Sequence, residues 1–507
     1  MDLPSRQVPA LRTAHPRSNV SKGRAAAVRA LAGGIIERFI GHSQLLHVST
    51  ALDVVILAAG QGKRMHSALP KVLHPLAGRP IVGHVIDAVQ TLAPRTICVV
   101  YGHGGESVRE ALQRPGLAFA LQDPPRGTGD AVRAALPSLP RDGVTMVVLG
   151  DVPLVRADEL ARLAAAARRG HVGLLTARVP DPRGLGRVLR DAAGQVRAIV
   201  EERDATPEQR AIDEINTGVM AMPTGHLARW VGALKPDNAQ GEYYLTDAIA
   251  MAVAEGIAVE AQLAADERDV RGINDRLQLV ECERILQRRR AEALLRAGTW
   301  IADPDRFDLR GTLTCGRDVR IDVGCVFEGH VTLGDGVSVG AYCVLRNMTI
   351  GAGTEILPFS HLEDSAAGAH CRIGPFSHFR PGAKLADEVH VGNFVEIKAS
   401  TLGHGAKANH LAYVGDATLG AHVNFGAGAI IANYDGANKH RTVIGDHAHI
   451  GSNCVLVAPV TIGAGATIGG GSTIARDAPP DALTFARPPQ VTKPGWKRPV
   501  KLAKKKD

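Results

Sequence analysis

The chain is short of aromatic side chains, which make up 4% of its 507 residues, and it has no long apolar run. A helix that crosses a bilayer needs roughly 20 consecutive apolar residues, and no stretch approaches that. The seven cysteines (Cys98, Cys282, Cys315, Cys325, Cys343, Cys371, Cys454) are scattered and include no C-x-x-C pair. Their pattern argues against a zinc ribbon and a disulfide framework, and it fits a reducing, cytoplasmic setting. Acidic residues are nearly missing from the first fifty positions, where Arg6, Arg12, Arg17, Lys22, Arg24, Arg29 and Arg38 face only Asp2 and Glu37. This stretch also lacks the apolar core of a secretory signal. Residues 1–50 are therefore set apart as an N-terminal extension. It is either disordered (or the product of a start codon assigned too early) or an Arg-rich targeting segment.

What is abundant is glycine, with 56 residues. Few aromatics and many glycines disfavour a conventional layered core in at least part of the chain. The remaining balance, 45% hydrophobic and 22% charged, is that of an ordinary globular protein. The length is too great for one core, so two or more domains are expected. The net charge of +8 lies largely in the two tails, and a nucleic-acid partner would rest on that charge alone.

From Asp53 the texture changes. Val54-Val55-Ile56-Leu57, Thr96 to Tyr101 and Met146 to Leu149 are short continuous apolar runs, as in strands buried on both faces. Between the first two, Ile81, Val82, Val85, Ile86 and Val89 have helical spacing. Alternation of this kind predicts a Rossmann-like α/β domain with a mostly parallel sheet, placed at residues 51–275. Asp275 to Gly298 reads as one long linking helix (276–298) with Leu279, Cys282, Leu286 and Ala293 on one face.

From about Val319 to Ile474 aliphatic residues recur every six positions: Ile321, Phe327, Leu333, Val339 and Leu345, and later Ile462, Ile468 and Ile474. Gly often follows, as at Gly334, Gly340, Gly463 and Gly469. A hexapeptide period with an inward aliphatic predicts a left-handed parallel β-helix, placed at 299–487. The polar stretch from Asn433 to Arg441 interrupts it and reads as an excursion loop. Residues 488–507 read as a Pro- and Lys-rich arm over a neighbour, ending in disorder.

Leu57-Ala58-Ala59-Gly60-Gln61-Gly62-Lys63-Arg64-Met65 follows the first strand directly. Its glycines let backbone N–H groups approach phosphates, and Lys63 and Arg64 offset their charge. Lys71, in Leu69-Pro70-Lys71-Val72-Leu73, adds a further positioned cation. These motifs resemble the sugar-nucleotide pyrophosphorylases. Gly127-Thr128-Gly129, Gly150-Asp151-Val152-Pro153, Glu214-Ile215-Asn216-Thr217-Gly218 and Gly272-Ile273-Asn274, taken with the hexapeptide repeats, narrow the likeness. From Asp53 onward the chain resembles the bifunctional N-acetylglucosamine-1-phosphate uridyltransferase / glucosamine-1-phosphate acetyltransferase family.

That resemblance implies uridylyl transfer from UTP to N-acetylglucosamine-1-phosphate, with Mg²⁺ held by Asp151 and Asn274. Lys71 and Arg64 would face phosphates, beside the backbone of Leu57, Ala58, Ala59 and Gly60. Gln122 and Gly127 would read the uracil edge. Thr128, Gly186, Glu201 and Asn216 would hold the sugar, with Leu149 and Gly150 lining the site. Two residues depart from the family pattern: Lys63 stands where Thr is usual, and Leu149 where Tyr is frequent.

The β-helix carries Arg380-Pro381-Gly382, Asn393 to Lys398, Asn409-His410-Leu411-Ala412-Tyr413, Asn424 to Gly428 and Asn433-Tyr434-Asp435-Gly436. By resemblance these form an acetyltransferase site acting on glucosamine-1-phosphate. A neutral imidazole can take the amine proton, and His410 is the expected base. Arg380, Lys398, Tyr413 and Asn424 would bind the sugar phosphate. Asn433 and Tyr434 would position substrate or the reacting carbonyl, and these two with Ala427, Ser452, Gly470 and Arg487 would contact acetyl-CoA. The family further implies a homotrimer, with Lys439 reaching a neighbouring subunit. Two rival readings are a monofunctional pyrophosphorylase with a scaffolding β-helix, and a non-catalytic assembly subunit. The first predicts an incomplete second cluster; the second predicts loss of Lys71, Asp151 or the Gly-rich loop. Neither loss is seen.

Overall fold

Continuous β-branched runs can be buried on both faces, and the N-terminal sheet is built from them. The structure, a computed structural model, describes residues 50–60, 62–102 and 105–499. The expected extension, Thr50 apart, and residues 500–507 lie outside the described residues. Along the strand Leu52–Leu57, Val54 and Ile56 enter one apolar core while Val55 enters another on the opposite face. Helices Ile81–Gln90 and Ala157–Arg168 cover the first face; Thr128–Ala135, Thr224–Ala233 and Asp247–Ala254 cover the second.

The strand order across the sheet is Val259–Leu263, Val172–Arg178, Glu214–Pro223, Val144–Leu149, Leu52–Leu57, Thr96–Gly102, Leu117–Gln122. All pairings are parallel except those of Glu214–Pro223, which runs against both neighbours. A hairpin of Arg187–Arg190 and Val196–Val200 hangs from that strand. The Gly-rich loop and the Gly150-Asp151 turn follow adjacent parallel strands. Both open at the carboxyl edge of the sheet, where α/β folds bind ligands.

The linking helix spans Arg276–Arg296 and is capped by Asp275, whose carboxylate accepts from the Gln278 N–H at 2.9 Å. One stretch of it, with Leu279, Cys282, Ile285 and Leu286, packs on Leu76, Ile81, Leu154 and Ile273 of the α/β domain. Ala291 and Leu294 pack instead on the β-helix core. Ala293, expected on the Cys282 face, is exposed. The helix serves two bodies in succession, so its buried stripe shifts along its length. Gln287 joins the two ends, donating to the Leu309 carbonyl at 3.0 Å and accepting from the Leu309 N–H at 2.8 Å.

In the C-terminal half each coil pairs in parallel with the next. Ile321, Val339, Ile356, Ile373, Val391, Ala408, Phe425, Ile450 and Ile468 stand opposite one another on one face. All are 2% exposed or less. The step between coils is 17 or 18 residues, as from His390 to Lys407 or Thr467 to His449, but it grows to 25 between Asn424 and His449. The added residues are the Asn433–Arg441 excursion. It is closed by a Tyr434–Lys439 bridge and by Asp435 accepting from the Ala437 and Asn438 N–H groups. Coiling begins earlier than Val319: Trp300–Ile301 already pairs with Arg320–Ile321, and Asp308–Cys315 with Val326–Leu333.

Phe327 is fully buried with its ring 5.7 Å from that of Phe307. Interiors close poorly around a removed ring, so Phe327→Ala is expected to cost about 3–5 kcal/mol in denaturant unfolding of the β-helix, with Phe327→Leu costing much less.

Candidate functional site

A cleft of about 740 Å³ opens at the carboxyl edge of the sheet. Nine predicted residues line it: Leu57, Arg64, Thr128, Leu149 and Asp151 on one side, and Gly186, Glu201, Asn216 and Asn274 beyond. Three further predicted residues act just behind this wall. Lys71 is nearly buried, and its ammonium lies 2.5 Å from Asp151 Oδ2 and 3.2 Å from Asn274 Oδ1. Gly62 lies against Lys71 with φ +59°, and a Cβ there would stand 2.6 Å from the Lys71 Cβ. Only glycine lets the loop approach so closely. Gln122 is buried and spends its amide N–H groups on the Gly127 carbonyl (3.0 Å) and Asp130 (3.1 Å). It therefore holds the Gly127 turn. Gly127, at φ +103°, is pressed against the Tyr243 carbonyl, 2.6 Å from where a Cβ would sit.

The far end of the cleft is shaped by backbone. The Asn216 N–H donates to the Gly186 carbonyl at 2.8 Å, and its side-chain oxygen accepts from the Gly218 N–H at 3.0 Å. Leu149 rests on the bare backbone of Gly218. Burial pushes the Glu201 carboxyl above the usual glutamate range, against the pull of a hydrogen bond from Thr246. Thr246, Arg271 and Gln278 also line the cleft and were not singled out from the sequence. Thr246 lies in no Gly-rich motif, and Gln278 reads as an ordinary polar position on a helix.

The donor set fits magnesium. Asp151 Oδ2 and Asn274 Oδ1 converge on one point, the Lys71 ammonium. One carboxylate and one amide oxygen are what Mg²⁺ takes when waters and substrate phosphates supply the rest. Among the described residues no group of three or more His, Cys, Asp or Glu side chains forms a protein-only metal cage.

In the β-helix the predicted residues fall into two groups. His410, Asn424, Ala427 and Ser452 line a cavity of about 250 Å³ with His449. They climb one corner of the prism: the His410 carbonyl accepts from Gly428, that of Ala427 from Asn453, and that of Ser452 from Gly471. Gly470 continues the column, its carbonyl accepting from the Arg487 guanidinium at 2.7 Å. His410 Nδ1 donates to Asn393 Oδ1 at 2.9 Å. That bond fixes the neutral tautomer with Nε2 free to accept a proton. Asn393 was read only as part of a motif; its 17-residue offset from His410, one coil, is the signal that places it.

The second group closes the next face. Arg380 pairs with Glu396 at 3.0 Å and Lys398 with Asp416 at 3.1 Å. Asn433 is buried, donating to Asp416 (2.5 Å) and Tyr413 (3.4 Å), whereas Tyr434 turns outward. Lys439 stands against Lys398 of its own chain. That contact, with Asp416, raises the Lys398 value, while proximity to Lys398 lowers that of Lys439. The chain turns a corner after His410, at Leu411 (φ +51°), and none of Tyr413, Asn433 and Tyr434 lines the cavity beside His410. Asn433 and Tyr434 are thus not gathered with Ala427, Ser452, Gly470 and Arg487 in one chain.

A family described as MobA-like NTP transferase domain matches residues 54–226, and one described as bacterial transferase hexapeptide (six repeats) matches residues 441–476. The bifunctional protein GlmU of Cupriavidus pinatubonensis is 56% identical over 453 residues, covering 89% of this chain and 100% of the relative. That of Thiobacillus denitrificans is 56% identical over 453 residues, covering 89% and 99%. That of Azoarcus sp. is 56% identical over 450 residues, covering 89% and 100%. With both matched modules in place and nearly the whole of each relative spanned, the chain belongs to the bifunctional GlmU family, a nucleotidyltransferase and acetyltransferase on one polypeptide.

Proposed function

We propose that the two sites act in series: the β-helix acetylates glucosamine-1-phosphate with acetyl-CoA, and the α/β domain transfers uridylyl from UTP to the product. The observation that carries the first site is the convergence of Lys71, Asp151 and Asn274 beside a phosphate-binding loop. Asp151 and Asn274 would hold Mg²⁺, which when bound neutralises phosphate charge. Lys71 and Arg64 add cationic charge where negative charge builds on the α-phosphate and leaving pyrophosphate. Such transfers depend mainly on positioning and charge neutralisation. Gln122 holds the Gly127 turn for the base, and Glu201 and Asn216 face the sugar hydroxyls.

In the second site His410 Nε2 takes the amine proton as nitrogen attacks the thioester carbonyl; the C–S bond then breaks, and CoA leaves as the thiol with the proton returned from His410. The cations Arg380, Lys398 and Lys439 suit a sugar phosphate. Ala427, Ser452 and Gly470 offer a small-residue column, with the Arg487 guanidinium beside Gly470, along which a pantetheine arm would lie.

Because the His410 column and the cationic group stand at different corners, the complete site is read as formed between adjacent copies. The corner below His410 supports this. Tyr342, Phe359, Phe376, Phe394 and Leu411 form an exposed ladder there, 46–63% accessible, with the four rings stacked 5.1–5.5 Å apart. An apolar stripe of this kind marks an interface, and a homotrimer about a threefold axis would cover it. No helix among the described residues is long and apolar enough to cross a membrane, and the supply of UTP and acetyl-CoA favours a cytoplasmic setting.

A divided assay tests the pair of roles. Asp151→Ala is expected to abolish uridylyl transfer and leave acetyl-CoA consumption intact. His410→Ala should lower acetyl transfer by about 10²–10⁴-fold and spare uridylyl transfer. Acetyl transfer unchanged in His410→Ala removes it as the base.

Glu201 gives a pH prediction. Its folded value lies above the ordinary 4.5, so the folded chain binds this proton more tightly than the unfolded one, and burying the ionised form costs more as pH rises past 4.5. Glu201→Gln should therefore gain melting temperature relative to the native chain as pH rises above 4.5, levelling off once the folded carboxyl has ionised, while its KM for the sugar phosphate rises. A melting difference independent of pH contradicts this.

A further inference from the structure

The linking helix begins inside the uridylyltransferase site. Asn274, the proposed magnesium ligand, immediately precedes its Asp275 cap, and the Asn274 N–H donates to Gln278 Oε1 at 2.7 Å. The helix's first residue, Arg276, reaches back more than two hundred positions and donates from Nε to the Met65 carbonyl at 3.1 Å. Met65 is fully buried and ends the short turn Lys63–Met65 of the Gly-rich loop. Arg64, its neighbour in that turn, lines the cleft, and no ion pair holds the Arg64 guanidinium among the described residues. The backbone of the turn is therefore what aims it.

The turn has few other ties. Gly62, in the left-handed region, enters it, and His66, also left-handed, leaves it. Its internal hydrogen bonds are Met65 N–H to Gly62 and His66 N–H to Lys63. The other end of the helix is fixed to the first coil of the β-helix by Arg284 on Asp308, Gln287 on Leu309 and Arg290 on the Leu309 carbonyl.

We infer that Arg276 is a positioning residue for uridylyl transfer: through the Met65 carbonyl it sets the Gly-rich turn, and with Gln278 it brings that turn and the Asn274 ligand to one rigid helix end. This rests on the uridylyltransferase reading above. The helix is then part of the first site and not only a spacer. The β-helix, by holding its far end, supports chemistry in the other domain. Displacing a reactive group by about 1 Å can cost up to 10²-fold in rate, so a loosened turn should register in kcat.

The test uses full-length Arg276→Ala and Arg276→Lys, with UTP, N-acetylglucosamine-1-phosphate and Mg²⁺. For Arg276→Ala, kcat is expected to fall about tenfold or more, with KM for the sugar phosphate nearly unchanged. Arg276→Lys keeps an N–H donor on a long stem and should recover most of the loss. Acetyl transfer and melting temperature should match the native chain in both. A kcat within twofold of native overturns the inference. So does a parallel fall in both activities and melting temperature that Arg276→Lys fails to relieve, which would mark a structural role only. A native chain silent in the same assay overturns the uridylyltransferase reading itself, and the inference with it.

Discussion

A coil of the β-helix must return the chain to the same three corners after 17 or 18 residues, because each inward side chain has to meet its counterpart in the coils above and below. That closure sets which positions are aliphatic and where the chain may leave the prism. It also fixes what can stand at a corner. The excursion at Asn433–Arg441 is tolerated because it departs at a corner and rejoins in phase, so Ile431 still lies over Leu456. The same closure stacks His410, Ala427, Ser452 and Gly470 in one column without any of them being neighbours in sequence. The proposed catalytic corner is a consequence of the packing rule.

The α/β domain solves a different problem, the gathering of charge. Lys71 is nearly buried, and the two oxygens facing it offset its desolvation. They are also the oxygens suited to a divalent cation. A bound ion would share those oxygens with Lys71, and the phosphates of the substrate would bring the lysine new partners. Glu201 is the opposite case: a carboxylate held in a place that disfavours its charge, which a sugar hydroxyl would relieve.

Much of this could be read from residues alone. The six-residue period predicted inward positions from Ile321 to Ile474, and all of those named are buried. The Gly-rich loop, Asp151 and Asn274 came from local motifs and line one cleft. The coil of Asp308–Cys315 falls within the 299–487 domain but ahead of the repeats read from Val319, although Leu309 and Cys315 carry the six-residue period back from Ile321. Ala293 was misplaced because one helical stripe was assumed where the helix packs on two bodies. The family resemblance grouped His410, Tyr413 and Asn433 in one site without saying which corner of the coil each occupies. A three-sided coil sends neighbouring residues to different corners, and only the fold displays that. Arg276 was invisible for another reason: an arginine on a charged helix reads as a solvated side chain until its partner, far away in sequence, is known.

The central claim is that both transfers occur on this chain, in the order acetylation then uridylylation. The direct measurement is mass spectrometry of the products formed from glucosamine-1-phosphate, UTP, Mg²⁺ and acetyl-CoA carrying a heavy acetyl group. The account predicts a UDP-linked sugar bearing the heavy acetyl, preceded by labelled N-acetylglucosamine-1-phosphate, with only that intermediate made when UTP is withheld. Accumulation of unacetylated UDP-glucosamine, or a UDP-sugar that forms equally well without acetyl-CoA, would contradict it.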